Sequence, residues 1–294
     1  MHIEIERIRK HVAVLSRTPR PAESPALQAA RAYVIDHLAA AGWQVEQRRF
    51  AAIGEDGTSL SGINLHAVHP AHPLSGGPRF CLGAHLDSRP NSPGADDNAS
   101  AVATLLEIAR LLPGSWPEPS QLDLELVAYD LEENGMCGGA EHARQLKRDG
   151  VDVRGMVSLE MLGYCDSEPG SQMLPRSLVG LYPDTGDFIA LIGNQNSHRL
   201  LETFRAGMSR VVPLPVETLA VPSNGEYLQA TRLSDHSPFW DEGFAALMVT
   251  DTSFLRNPYY HTPRDTLDTL DLRFLHLVAE GCYLALRHVL ESGV

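Results

Sequence analysis

Long apolar runs are missing from this chain. No window is apolar enough to span a bilayer, and the opening segment MHIEIERIRKHVAVLSRTPRP is amphipathic and studded with charge, unlike a secretory signal. Paired cysteines are missing too. Cys81, Cys137, Cys165 and Cys282 are scattered and form no CxxC, which favours free thiols over disulfides. Both absences predict a cytoplasmic protein with no membrane partner. Basic residues are scarce: 24 Lys and Arg against 37 Asp and Glu give a net charge of −13. Such a balance argues against nucleic acid as a partner, because phosphate binding needs clustered cations. Two hydrolase signatures are also absent. There is no GxSxG elbow, so SDHSPFW (Ser234 to Trp240) does not by itself make a triad. His142 follows Glu141, but the HExxH spacing of one-helix zinc proteases does not occur.

What is present is enough for a packed core: 294 residues, 43% of them hydrophobic. Apolar spacing predicts helices at 5–15, 26–41, 100–112, 139–148, 197–208 and 270–290. Strand-like runs lie at 43–50, 63–68, 79–85, 122–129, 153–159, 188–192 and 244–250. Alternating strands and helices predict an α/β sandwich around a mixed, mostly parallel sheet. Two Pro-containing stretches, 165–187 and 211–227, read as lid or insert segments. Neither reads as a domain linker, because site candidates lie on both sides of each.

Five short segments carry the chemistry: GAHLDS (Gly83 to Ser88), GADDNAS (Gly94 to Ser100), DLEENG (Asp130 to Gly135), SLEMLGY (Ser158 to Tyr164) and YYHTPRDT (Tyr259 to Thr266). Each holds a His, Asp or Glu at or just after a predicted strand, where open α/β sheets bind their ligands. Paired hydrolytic metal ions use this mixture of imidazole and carboxylate donors. Asp96 reads as a turn or capping residue. His66, His69 and His72 form a loose cluster between prolines, read here as a solvated loop.

From about Arg79 to Asp271 these motifs, in order and spacing, resemble the zinc-dependent M28 aminopeptidases. The resemblance implies one M28-type domain over 1–294, a three-layer αβα sandwich of the zinc-peptidase kind. It implies two zinc ions sharing Asp97, the first also held by His85 and Glu160, the second by Glu133 and His261. Asp87 is implied as the carboxylate that fixes the His85 tautomer, and the peptide after Asp97 as cis. Glu132 is implied as the general base for the attacking water, and Tyr260 as an oxyanion stabiliser. Arg89, Asp235 and His236 fall in loops near the pocket without being ligands. Glu160 is the clearest departure, since many members carry Asp there; the donor atoms are the same on a longer arm. Cobalt or manganese would also suit such donors. The expected reaction is hydrolysis of N-terminal peptide bonds, with a peptide or small aminoacyl substrate. Two rivals remain: a glutaminyl-cyclase-like acyltransferase, which keeps a single zinc, and a non-catalytic binding relative.

Overall fold

The computed structural model describes residues 2–54 and 57–294. Its centre is one sheet built from β1 (Gln44–Ile53), β2 (Ser59–Val68), β3 (Arg79–His85), β4 (Asp123–Tyr129), β5 (Val153–Glu160), β8 (Ile189–Asn194), β9 (Val216–Val221) and β10 (Ala246–Thr250). The spatial order is β1-β2-β4-β3-β5-β10-β8-β9, and a separate small ribbon pairs β6 (Asp166–Pro169) with β7 (Thr185–Gly186). Strands β4, β3, β5 and β10 run parallel, so their C-terminal ends share one edge. β1, β2 and β8 join antiparallel.

Alternation along the strands divides the core in two. Phe80, Leu82 and Ala84 of β3 face α1 (Ile5–Leu15), α2 (Pro25–Ala40), α3 (Ala101–Leu111), α5 (His198–Met208) and α7 (Leu272–Ser292). Cys81, with Val127, Tyr129 and Met156, faces the other way, onto α4 (Cys137–Arg148) and α6 (His236–Asp241). Helices thus cover both faces of a mixed, mostly parallel sheet, the three-layer sandwich expected from the sequence.

Several helix ends follow from side-chain chemistry. Ser24 caps α2 through Leu27 N, with Pro25 at the first helical position. Asp271 caps α7 by accepting from Arg273 N and Phe274 N. Beyond the β6–β7 ribbon, two elements differ from expectation. Segment 211–227, read as a lid or insert, supplies β9, an edge strand parallel to β8. Its half-polar VETLAV sequence lies among prolines and is mostly half-buried, so it shows none of the apolar run of a central strand. Helix α6 was also unexpected: at six residues it is too short to show a periodic face.

Candidate metal centre

Two donor sets converge at the shared strand edge, joined through Asp97. His85 closes β3 and Glu160 closes β5. His85 Nε2 stands 3.2 Å from Asp97 Oδ1 and 3.4 Å from Glu160 Oε1. On the other side, His261 Nε2 lies 3.1 Å from Asp97 Oδ2 and 3.1 Å from Glu133 Oε2. His85, Asp97 and Glu160 form one group able to hold a metal ion, and Asp97, Glu133 and His261 form another. Donors around one tetrahedral zinc, each about 2.0–2.2 Å from it, sit roughly 3.3 Å apart, which matches these separations.

The unpaired chemistry of the cluster also fits a cation. His261 Nε2 is buried and makes no hydrogen bond, although two carboxylate oxygens lie within reach. An atom so placed suits a lone pair turned toward a shared ion. Burial, then the Asp97 charge, pushes Glu133 up to about 7. Burial raises Glu132 well above the carboxylate range; His85 opposes this and Glu160 adds to it. Burial raises Glu160 as well, against the pull of His85. Burial would lower His85, but the carboxylates of Glu160 and Glu132 raise it well above its ordinary value. Crowded carboxylates that resist ionisation are what a bound divalent cation would relieve.

The surrounding backbone is held in unusual conformations. Leu131, Met161 and His261 have positive φ of 58°, 50° and 57°, and they flank or belong to the donor motifs. Such residues cost of order 1–3 kcal/mol each and cluster at functional sites. Met161 is held by its N–H to Asn98 Oδ1 (2.9 Å), while Asn98 Nδ2 donates to Leu159 O (2.9 Å). The Asp97–Asn98 peptide is cis.

Asp87 lies beside His85 and also reaches the Glu132–Glu133 loop. His85 Nδ1 is 3.2 Å from the Asp87 carbonyl oxygen and 3.6 Å from its carboxylate. The carboxylate instead accepts from the backbone N–H groups of Glu132 and Glu133, each at 3.1 Å. Asp87 therefore reaches both sets, through its carbonyl on one side and its carboxylate on the other. Arg89 touches Glu133 directly, with Nε 2.8 Å from Oε2. Asp96, expected as a turn or capping residue, is fully buried and caps no helix; its Oδ1 accepts from Gly163 N (2.8 Å) and its Oδ2 from Asn257 Nδ2 (2.7 Å). His236 is buried, and its Nε2 pairs with Thr231 O (2.9 Å) in the site's outer wall. Asp235 is also buried and accepts from Gly139 N (3.1 Å).

Three further residues escaped the sequence reading. Ser234 Oγ donates to Glu160 Oε2 (2.8 Å) and so fixes the longer arm that replaces Asp. Asp265 accepts from the N–H groups of Asp96 (2.8 Å) and Asp97 (3.2 Å). Buried Arg20 binds the carbonyls of Leu86 (2.9 Å), Pro93 (2.6 Å) and Gly94 (3.1 Å), tying the His85 loop to the Asp97 turn. Asp265 and Ser234 lie inside the YYHTPRDT and SDHSPFW segments but have no role assigned there, and Arg20 carries no local signal.

A cleft of about 1170 Å³, counting its open mouth, runs from the cluster toward β8 and β9. Asp97, Glu132, Glu133, Glu160 and Tyr260 line its inner end, and Leu174, Leu178, Ile192, Leu219 and Leu228 its walls. Segment 165–187 forms part of that wall, anchored by Met173 N to Leu255 O (2.8 Å). Tyr260 lies flat on the His261 ring, with centroids 3.6 Å apart.

The profile of peptidase family M28 matches residues 64–286. The uncharacterised protein YfbL of Escherichia coli is 34% identical over 95% of this chain and 87% of its own length. Aminopeptidase YwaD of Bacillus subtilis is 26% identical over 69% of this chain, a stretch covering 40% of that relative. The same fold occurs in a zinc aminopeptidase from Bacillus subtilis, with a TM-score of 0.78 at 15% identity over 99% of this chain and 96% of that one. It also occurs in a Bacteroides thetaiotaomicron glutaminyl cyclase, with a TM-score of 0.74 at 19% identity over 100% and 99%. The family implies zinc as the metal for these donors, and the chain belongs to peptidase family M28.

Proposed function

We propose that the protein is a zinc-dependent aminopeptidase that removes N-terminal residues from peptides. The observation that carries this reading is Asp97, which offers one oxygen to each of two complete donor sets. His85, Asp97 and Glu160 would hold one ion; Asp97, Glu133 and His261 would hold a second. When bound, such a pair polarises the scissile carbonyl and makes water acidic enough to react near neutral pH.

The chain's own groups do the rest. Glu132 belongs to neither donor set, and its side chain keeps 13% exposure at the inner end of the cleft. Its carboxylate takes the proton of the attacking water and returns it to the departing amine. Burial keeps the Tyr260 hydroxyl protonated, so it can donate a hydrogen bond to the carbonyl oxygen as charge develops there. The apolar walls exclude water and seat side chains of the substrate. The carboxylates at the inner end favour a free N-terminal ammonium, which restricts cleavage to chain ends.

The experiment is mass spectrometry of the zinc-loaded protein incubated with peptides that differ in their first residue, one of them beginning with Gln. Stepwise loss of N-terminal residues is expected. Loss of ammonia from the Gln peptide alone would replace this reading with a glutaminyl cyclase. Unchanged peptides would refute peptide hydrolysis.

A further inference from the structure

His66 is not in a solvated loop. It lies in β2, buried, apart from His69 and His72, which pack on Trp116. His66 Nδ1 is 2.8 Å from Glu125 Oε1 on β4. His142 Nε2, on α4, is 3.4 Å from Glu125 Oε2. Cys81 Sγ, on β3 directly beside Glu125, is 4.0 Å from the same oxygen. All four residues are buried, at the sheet face under α4 and away from the strand ends that carry the first centre.

We propose that His66, Glu125, His142 and Cys81 form a separate structural site for zinc. The donor atoms of His66, Glu125 and His142 all lie within 4.8 Å of one another. Nitrogen and oxygen donors on a tetrahedral zinc stand roughly 3.3 Å apart, close to the separations here; Cys81 lies outside this three-residue group, so its side chain must turn inward to complete the shell. An independent sign is His142. It is 2% exposed, and its Nε2 faces Glu125 without making a hydrogen bond. Its other nitrogen, Nδ1, is 3.0 Å from the Tyr129 hydroxyl. The tautomer that donates Nδ1–H to Tyr129 leaves the Nε2 lone pair pointing into the cluster, the orientation that a metal-binding imidazole receives from an outer partner.

The charges close as well. The Glu125 carboxylate and a Cys81 thiolate cancel a divalent charge, with the thiol proton released on binding. Arg48 Nη1 (3.5 Å) and Arg79 Nη1 (3.4 Å) balance Glu125 in the cluster as it stands. Arg48 is half-exposed and also pairs with Glu46 at 2.8 Å, so it has somewhere to turn when the carboxylate is engaged. Imidazole with thiolate selects zinc over magnesium or calcium. Such an ion would staple β2, β3 and β4 to α4, the helix that follows the Glu132–Glu133 loop.

Cobalt tests this independently of the catalytic reading, because the first centre contains no sulfur donor. Co²⁺ added to the full chain after chelation should give a thiolate-to-cobalt charge-transfer band in the near ultraviolet. The band should vanish in Cys81→Ser and persist in Cys165→Ser. In zinc-loaded protein, His142→Gln should bind one metal equivalent fewer than wild type while peptide cleavage continues. The proposal falls if wild-type protein shows no such band, if Cys81→Ser keeps it, or if His142→Gln leaves the metal count unchanged. The wild-type spectrum is decisive even if a variant fails to fold.

Discussion

The two donor sets that share Asp97 are built on different supports. In the first set, His85 and Glu160 end neighbouring parallel strands, and their side chains are 1% and 8% exposed. In the second, Glu133 and His261 sit on loops, and the His261 side chain is 26% exposed with a left-handed backbone. Strand ends are fixed by the hydrogen-bond ladder on either side, whereas loop donors depend on a few contacts such as those of Asp87. An ion in the first set should therefore exchange slowly, and one in the second more readily.

Asp97→Asn should break both sets together, and peptide cleavage should fall to background with metal content reduced at both. Retention of any equivalent beyond the one assigned to the His66 cluster would show that the sets are independent of Asp97. Glu132→Gln should lower kcat about 10²–10⁴-fold while metal content stays at the wild-type level. A variant nearly as active as wild type would remove Glu132 as the base. His261→Ala should lose one equivalent and keep the ion of the first set, which metal analysis after gel filtration would reveal; full occupancy would take His261 off the donor list. Ser234→Ala frees only the outer oxygen of Glu160, so a metal affinity about 10–100-fold weaker is expected, confined to the first set.

The smallest effect concerns pH. Burial raises Glu133 to about 7, Asp265 to about 7 and Asp235 to about 8. His261, which burial would lower, is raised to about 9 by Asp97 and Glu133. Each folded value lies above its unfolded one. The stabilising contribution is therefore complete below the unfolded values and is lost as pH rises through the folded ones. Burial holds His66 at about 4 and His236 at about 3, which acts in the opposite direction below pH 6.5, so chelator-treated protein should lose Tm steadily between about pH 7 and 9, and zinc should restore more stability at the alkaline end. A chelated protein whose Tm rises across that window would contradict the electrostatic picture.

Much of this architecture is legible in the sequence, for identifiable reasons. β3 and β10 are nearly continuous apolar runs, and β4 and β5 are apolar runs broken by a few polar residues, because both faces are covered; His85 and Glu160 stand where β3 and β5 stop. β9 is not legible, since an edge strand exposing one side has no apolar run to display. Asp265, Ser234 and Arg20 act on residues distant in the chain, so their partners emerge only when the strand ends meet. His66 is not legible as a buried strand residue because it sits near the end of its strand, just before a loop containing other histidines. Its partner Glu125 lies 59 residues away.

The central claim is that two ions flank Asp97, and it is most directly tested by anomalous diffraction at the zinc edge from crystals of the zinc-loaded protein. The account predicts two peaks at the strand edge, one among His85, Asp97 and Glu160 and the other among Asp97, Glu133 and His261. A single peak there, at full zinc loading, would contradict it.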